Sequence, residues 1–204
     1  MHRVGALILA AGASSRLGVP KQFLLFQGET FLRRTAKAAI AARCEPIVVV
    51  AGDAVDRVRA ELSELPVQVA VNESWQRGLG TSIKSGLAHL RSAAPNLHAV
   101  IILACDQPFV SSGTIRKLIA TESPIAASGY ADTVGIPALF DSRYFAALMS
   151  LPDDSGAKRL IELNRTDLKL ISFPEGAIDI DTEADYVTLG SITNDHASNT
   201  SATI

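Results

Sequence analysis

LILAAGASSRLGVPKQ, Leu7 to Gln22, changes character twice within a few turns of chain. Val4 to Leu9 is an apolar run that predicts a buried strand, and it breaks into small residues, Ala10 to Ser15, that let a backbone approach a ligand closely. Arg16 and Lys21 then add two fixed positive charges in what reads as an exposed loop. A triphosphate needs backbone N–H donors aimed at its oxygens and cations to offset its charge, and a strand followed by a glycine-containing turn supplies both. The glycines alone do not carry this reading, because many α/β proteins open with a strand and a glycine turn. Neither common phosphate fingerprint fits: Gly18 is followed by Val19 and Pro20 before Lys21, so there is no G-x-x-x-x-G-K-[ST], and no G-x-G-x-x-G occurs.

Past Lys21, residues 22–29 read as a loop with a short apolar strand, and Thr30 is a candidate N-cap for a helix over 31–43. A β-branched run at 47–50 predicts a second buried strand ending at Ala51-Gly52-Asp53, with Asp53 placed to cap the next helix. A third strand, 67–71, leads into Asn72 and the polar loop Gly78 to Ser82, which opens a helix with Ile83, Leu87 and Leu90 on one face. A fourth, 98–103, ends in Ala104-Cys105-Asp106-Gln107-Pro108. Beyond it the pattern predicts a helix over 112–120, a strand 124–127, a turn 129–132, a strand 135–140, a helix 142–150, a turn 152–156, a helix 157–163 and a last strand 168–173. Repeated strand–helix alternation argues for a doubly wound, mostly parallel sheet between helical layers, a three-layer α/β/α Rossmann-like domain over 1–190. The small, polar and aperiodic tail, 191–204, is expected to be disordered.

Composition narrows the function classes. Of 204 residues 48% are hydrophobic and 20% charged, and the net charge of −2 provides no basic field for nucleic acid. No stretch reaches the roughly 18 apolar residues of a membrane span, and the apolar run after Met1-His2-Arg3 is too short for a leader, so a soluble cytoplasmic protein is expected. Cys44 and Cys105 adjoin apolar runs and read as buried free thiols. His2, His89, His98 and His196 are scattered without zinc-ligand spacing.

In a doubly wound sheet the ligand lies outside the carboxyl ends of the strands, where each polar cluster falls. Asp106, at such an end, is the candidate ligand for Mg²⁺ held against phosphates, although an Asp after a strand is more often a helix cap or a turn residue. Asp179 and Asp181, two apart on an extended segment, offer a second carboxylate, with a helix cap as the competing role for Asp181. Asn72, Gly80, Thr81 and Ser82 offer donors and acceptors for a base edge, and Thr81 with Ser82 could equally be an N-cap pair. Trp75 reads as core or loop anchor. With no covalent nucleophile evident, in-line attack on the α-phosphate of an NTP fits Arg16 and Lys21 as charge stabilisers.

Leu9, Ala10, Ala11, Gly12, Arg16, Gly18 and Lys21 together resemble the L-A-A-G-x-x-x-R-x-G-x-x-K signature of MobA-like nucleotidyltransferases, which move an NMP group from an NTP onto a phosphate or sugar phosphate. The segment 103–108 is similar to the family's L-x-x-D-x-P, which carries a magnesium-binding Asp, and 179–186 to its closing D-I-D-T-x-x-D-Y, whose inner aspartate, here Asp181, completes the metal site. The resemblance implies a nucleotide-diphospho-sugar transferase type of fold, with Arg16, Lys21 and Asp106 catalytic and Leu9 to Gly12, Gly52, Asn72 and Gly80 to Ser82 around the nucleotide. Pro20 to Leu24, Gly28, Leu32 to Arg34 and Gly135-Ile136-Pro137 bring it nearest the molybdenum cofactor cytidylyltransferase group. That implies CTP and a molybdopterin acceptor, met by Gly135, Ile136, Pro137 and Asp154 on the side opposite the nucleotide, with a molybdoenzyme or chaperone downstream. Ala11 supports CTP, since guanylyl-transferring relatives resemble L-A-G-G. The group reads G-H-P and G-D-x-G-A-[RK] where this chain has Gly135-Ile136-Pro137 and Asp153 to Lys158, which leaves pterin-side contacts open. The alternatives are a 2-C-methyl-D-erythritol 4-phosphate cytidylyltransferase and a nucleotide-binding regulator without turnover.

Overall fold

The computed structural model describes residues 3–12, 19–178, 180 and 182–189. Arg16, Asp179, Asp181 and the tail 191–204 lie outside them. Every residue of β1, Val4–Ala10, is buried, because the strand pairs on both edges and is covered on both faces. A hairpin of two short strands, β2 (Leu25–Phe26) and β3 (Glu29–Thr30), follows, and Thr30 caps α1 (Phe31–Ala41), its hydroxyl accepting from Arg33 N at 3.1 Å. Then come β4 (Ile47–Ala51), α2 (Val55–Glu61), β5 (Gln68–Val71), α3 (Leu79–Ala93), β6 (Ala99–Ala104), α4 (Ser112–Ile119), β7 (Ile125–Tyr130), β8 (Thr133–Asp141), α5 (Phe145–Met149), α6 (Ala157–Leu163) and β9 (Leu168–Ser172).

The sheet order is β5-β4-β1-β6-β8-β7-β9, and β8 alone is antiparallel, to both its neighbours. Successive residues of a strand face opposite layers. Ala6, Ile8 and Ala10 therefore pack with α1, α2 and α4, whereas Leu7, Leu9 and Ala11 pack with α3, α5 and α6. Gly86 lets α3 press onto the sheet: a Cβ there would stand 2.0 Å from Leu7 Cδ1 and 2.6 Å from Val50 Cγ2. A third cluster docks the C-terminal segment, with Ile180 and Leu189 buried among Leu24, Phe26 and Phe31. No helix among the described residues is long and apolar enough to cross a membrane.

Three local expectations are corrected. Asp53 does not cap α2; Ala54 holds the N-cap position without a side-chain bond. The turn expected over 129–132 is tighter, because β7 continues through Tyr130 and only Ala131 and Asp132 remain between the strands, both at positive φ (46° and 58°). That pair adopts the backbone of a two-residue hairpin without the Asn-Gly or Asp-Gly signal that usually marks it. The single helix expected over 142–150 is split into a 3-10 turn, Ser142–Tyr144, capped by Asp141, and the short α5.

Candidate active site

The carboxyl ends of β1 and β6 lie side by side, with Leu9 in register with Ala104. A cavity of about 380 Å³ opens beyond them, and Leu9, Gly12, Lys21, Ala104 and Asp106 all contribute to its wall. Lys21 comes from a 3-10 turn, Lys21–Phe23, that returns the chain over the strand end; it is half-buried, which corrects the expected exposed loop. The electrostatics of Cys105 record the same proximity. Burial first, and then the charge of Asp106, push its thiol up, while Lys21 pulls it back. A larger cavity of about 600 Å³ lies beside the β7–β8 hairpin, lined by Asp132, Glu162 and Arg165 among others, and none of the residues at the carboxyl ends of β1 and β6 borders it. The smaller cavity is therefore the candidate site.

The polar residues expected to read a base are engaged with one another. Asn72 Nδ2 donates to Thr81 Oγ1 at 2.8 Å and to Ser82 Oγ at 3.0 Å, Asn72 Oδ1 accepts from Ser74 N at 3.0 Å, and Thr81 Oγ1 lies 2.7 Å from Gly78 O. All three side chains are buried, as buried polar groups with full partners are. They fix the first turn of α3, which starts at Leu79 where the sequence predicts a polar loop over 78–82, and Leu79 is its member on the cavity wall. Gly52 packs under Trp75, where a Cβ would stand 2.9 Å from the ring and from Ala11 O. The methyl of Ala11 is in the core beside Trp75, and Ala10 is buried on the opposite face, so neither side chain borders the cavity.

On the other wall stand Ile136, Tyr130 and Gln107. Ile136 O accepts from Gln107 Nε2 at 3.0 Å and from Tyr130 OH at 3.3 Å, and Ser128 Oγ donates to Pro137 O at 2.9 Å. Gly135 makes room for the Tyr130 hydroxyl, which would be 2.4 Å from a Cβ. Gln107 Oε1 is buried with no hydrogen-bond partner among the described residues, an acceptor whose burial is costly until a donor meets it. Neither Gln107 nor Tyr130 was singled out from the sequence; Gln107 lay inside the Asp106 motif and could have been included. Asp154 is exposed and does not border the cavity. The turn around it touches the start of α3, with Gly80 N donating to Asp153 O at 2.8 Å, which corrects the expectation that this turn stands on the side opposite residues 78–82.

Among the described residues no three His, Cys, Asp or Glu side chains gather as a metal cage. One hard carboxylate, Asp106, at a phosphate-sized opening beside a lysine fits Mg²⁺ or Mn²⁺, ions held through one or two carboxylates together with substrate phosphates. Thr182 and Asp185 form a reciprocal cap for helix 183–189, the Asp185 carboxylate accepting from Thr182 N at 2.8 Å and the Thr182 hydroxyl from Asp185 N at 3.2 Å.

The model of the MobA-like NTP transferase domain matches residues 6–169. Nicotine blue oxidoreductase of Paenarthrobacter nicotinovorans is 30% identical over 166 residues, 76% of this chain and 79% of its own. A probable molybdenum cofactor guanylyltransferase of Bacillus cytotoxicus is 30% identical over 118 residues, 58% of this chain and 56% of its own. Among solved structures, Rv0371c from Mycobacterium tuberculosis H37Rv superposes with a TM-score of 0.80 at 31% identity, covering 92% of this chain and 97% of its own. A structure of Rv0371c in complex with manganese gives 0.76 at 28% identity, with the same coverage. The matched span runs from β1 through Lys21, Asp106 and the hairpin, so the strand-end cavity is built within it, and the chain belongs to the MobA-like NTP transferase family as a nucleotidyltransferase.

Proposed function

We propose that the protein transfers CMP from CTP to a phosphate of a molybdopterin-type acceptor. A phosphate oxygen of the acceptor attacks the α-phosphorus, the bond to the bridging oxygen of the β-phosphate breaks, and pyrophosphate leaves with the electron pair. The observation that supports this best is the meeting of Lys21 and Asp106 at one cavity beyond two adjacent parallel strands. Gly12 and the backbone around it offer close approach to the phosphates, and Lys21 offsets their charge. Arg16 is assigned the same task, and Asp181 joins Asp106 as a second carboxylate. A divalent ion, when bound there, would neutralise phosphate charge and orient the oxygens; the manganese complex of Rv0371c supports the use of a divalent ion. The acceptor is placed against Gly135, Ile136 and Pro137, with Gln107 Oε1 waiting for an N–H or O–H donor. Residues 1–190 act as one catalytic domain in the cytoplasm, and a molybdoenzyme or its chaperone takes the product.

Cytidine is favoured by the Leu9-Ala10-Ala11-Gly12 string, guanosine by the name of the Bacillus cytotoxicus relative. Initial rates with CTP and GTP, measured side by side with molybdenum cofactor as acceptor, separate them. CTP is expected to exceed GTP by more than about tenfold, within what a few positioned polar contacts achieve. Equal rates, or preference for GTP, overturn the base assignment, and pyrophosphate release only with a different acceptor overturns the acceptor.

A further inference from the structure

Asp153, in the turn between α5 and α6, holds the start of α3 at three points. Its carboxylate pairs with Arg77, just before the helix, at 2.5 Å and with Lys84 in its second turn. Its carbonyl oxygen accepts from Gly80 N in the first turn. The contact needs glycine: a Cβ on Gly80 would lie 2.1 Å from Pro152 O, and Gly78, at φ 125°, would bring one within 2.5 Å of Asp153 O. Lys84 is fixed further by donating to Leu151 O at 3.1 Å. The Asp153 and Lys84 side chains are each only 26% exposed, so their attraction is partly shielded from water, whereas Arg77 at 70% exposure adds less.

We propose that Asp153 is a positioning residue for the nucleotide, stapling the start of α3 to the 152–156 turn so that Leu79 keeps its place on the cavity wall. Without that carboxylate, Arg77 and Lys84 lose their shared anion, and the first turn of α3 must be held in place at the expense of binding. This rests on the reading of residues 78–82 as the nucleotide side. It gives the residue that stands where the resemblance expects glycine a role away from the acceptor.

The test is calorimetric titration of CTP, GTP, ATP and UTP, each with Mg²⁺, into wild type, Asp153→Asn, Lys84→Met and the double variant, with thermal melts alongside. Both single variants are expected to weaken the nucleotide that wild type prefers by about three- to tenfold, as expected for loss of a partly shielded ion pair, and the double variant to be no weaker than the worse single one. In turnover, the KM for that nucleotide rises while kcat at saturation and the acceptor KM stay within about twofold. Unchanged affinity in both folded variants, fully additive losses, or a rise confined to the acceptor KM overturns the staple. Should wild type prefer a nucleotide other than CTP, the base assignment fails while the same variants still decide the staple. Wild type that binds none of the four removes both.

Discussion

Gly12→Ala separates folding from phosphate binding. A Cβ built on Gly12 meets nothing within 4 Å among the described residues, and the residue is exposed on the cavity wall, so a methyl is accommodated there. Its φ is not in the left-handed region, so alanine is compatible with the backbone. The folded state loses nothing, and the unfolded chain loses freedom, so stability should hold or rise by about 0.4–1 kcal/mol. Binding is another matter. A phosphate packed directly against the Gly12 Cα has no room for a Cβ, and displacing it by enough to lose one charge-assisted hydrogen bond costs about 1.5–3 kcal/mol, or about ten- to hundredfold in Kd. Gly80→Ala is the control with the opposite signature. Its Cβ would strike three backbone carbonyls, those of Pro152, Asp153 and Ser155, at 2.1, 3.1 and 3.0 Å. Backbone cannot rotate away, so about 1–3 kcal/mol of stability is lost, less up to about 1 kcal/mol of helix propensity regained. Thermal unfolding and CTP titration on both variants decide the matter. Gly12→Ala protein that melts early yet binds CTP normally would refute the phosphate cradle.

Lys21→Ala should lower kcat at least about a hundredfold, with the melting temperature within a few degrees of wild type, because the side chain acts on transition-state charge; unchanged kcat would remove Lys21 from catalysis. Asp106→Asn should raise the Mg²⁺ concentration for half-maximal activity, and Asp181→Asn likewise; a magnesium titration in which the Asp181 variant matches wild type would transfer the second role to Asp179. The thiol of Cys44 is pushed up to about 12 by burial, so it should resist a thiol reagent at pH 8 until urea exposes it. The unfolded thiol ionises near its ordinary 9.0 while the folded one keeps its proton, so this group makes stability fall as pH rises from about 9 toward 12. Native labelling as fast as in urea would contradict that burial.

The strand-end half of the site was legible in the sequence because buried parallel strands write continuous apolar runs and must stop where polar chemistry begins. Leu9 to Gly12 and Leu103 to Pro108 show both the run and the stop, and β1 and β6 are neighbours as doubly wound topology requires. The face of α3 was equally plain from Ile83, Leu87 and Leu90, all fully buried. What sequence hid is long-range satisfaction of polar groups. Nothing local distinguishes an Asn72 that meets a base from one that donates to Thr81 and Ser82. The pairing of Asp153 with Lys84 spans a long stretch of chain, and it emerges only once α3 is laid across the sheet. Tyr130 was missed because the hairpin continued past Gly129, where composition pointed to a turn.

A crystal structure with Mn²⁺ and a non-hydrolysable CTP analogue tests the central claim most directly, since the anomalous signal of manganese locates the ion independently of any fitted nucleotide. The ion is predicted at the Asp106 carboxylate, with the triphosphate lying along Gly12 and Lys21 in the cavity beyond β1 and β6. Manganese and triphosphate bound elsewhere, with that cavity holding neither, would contradict it.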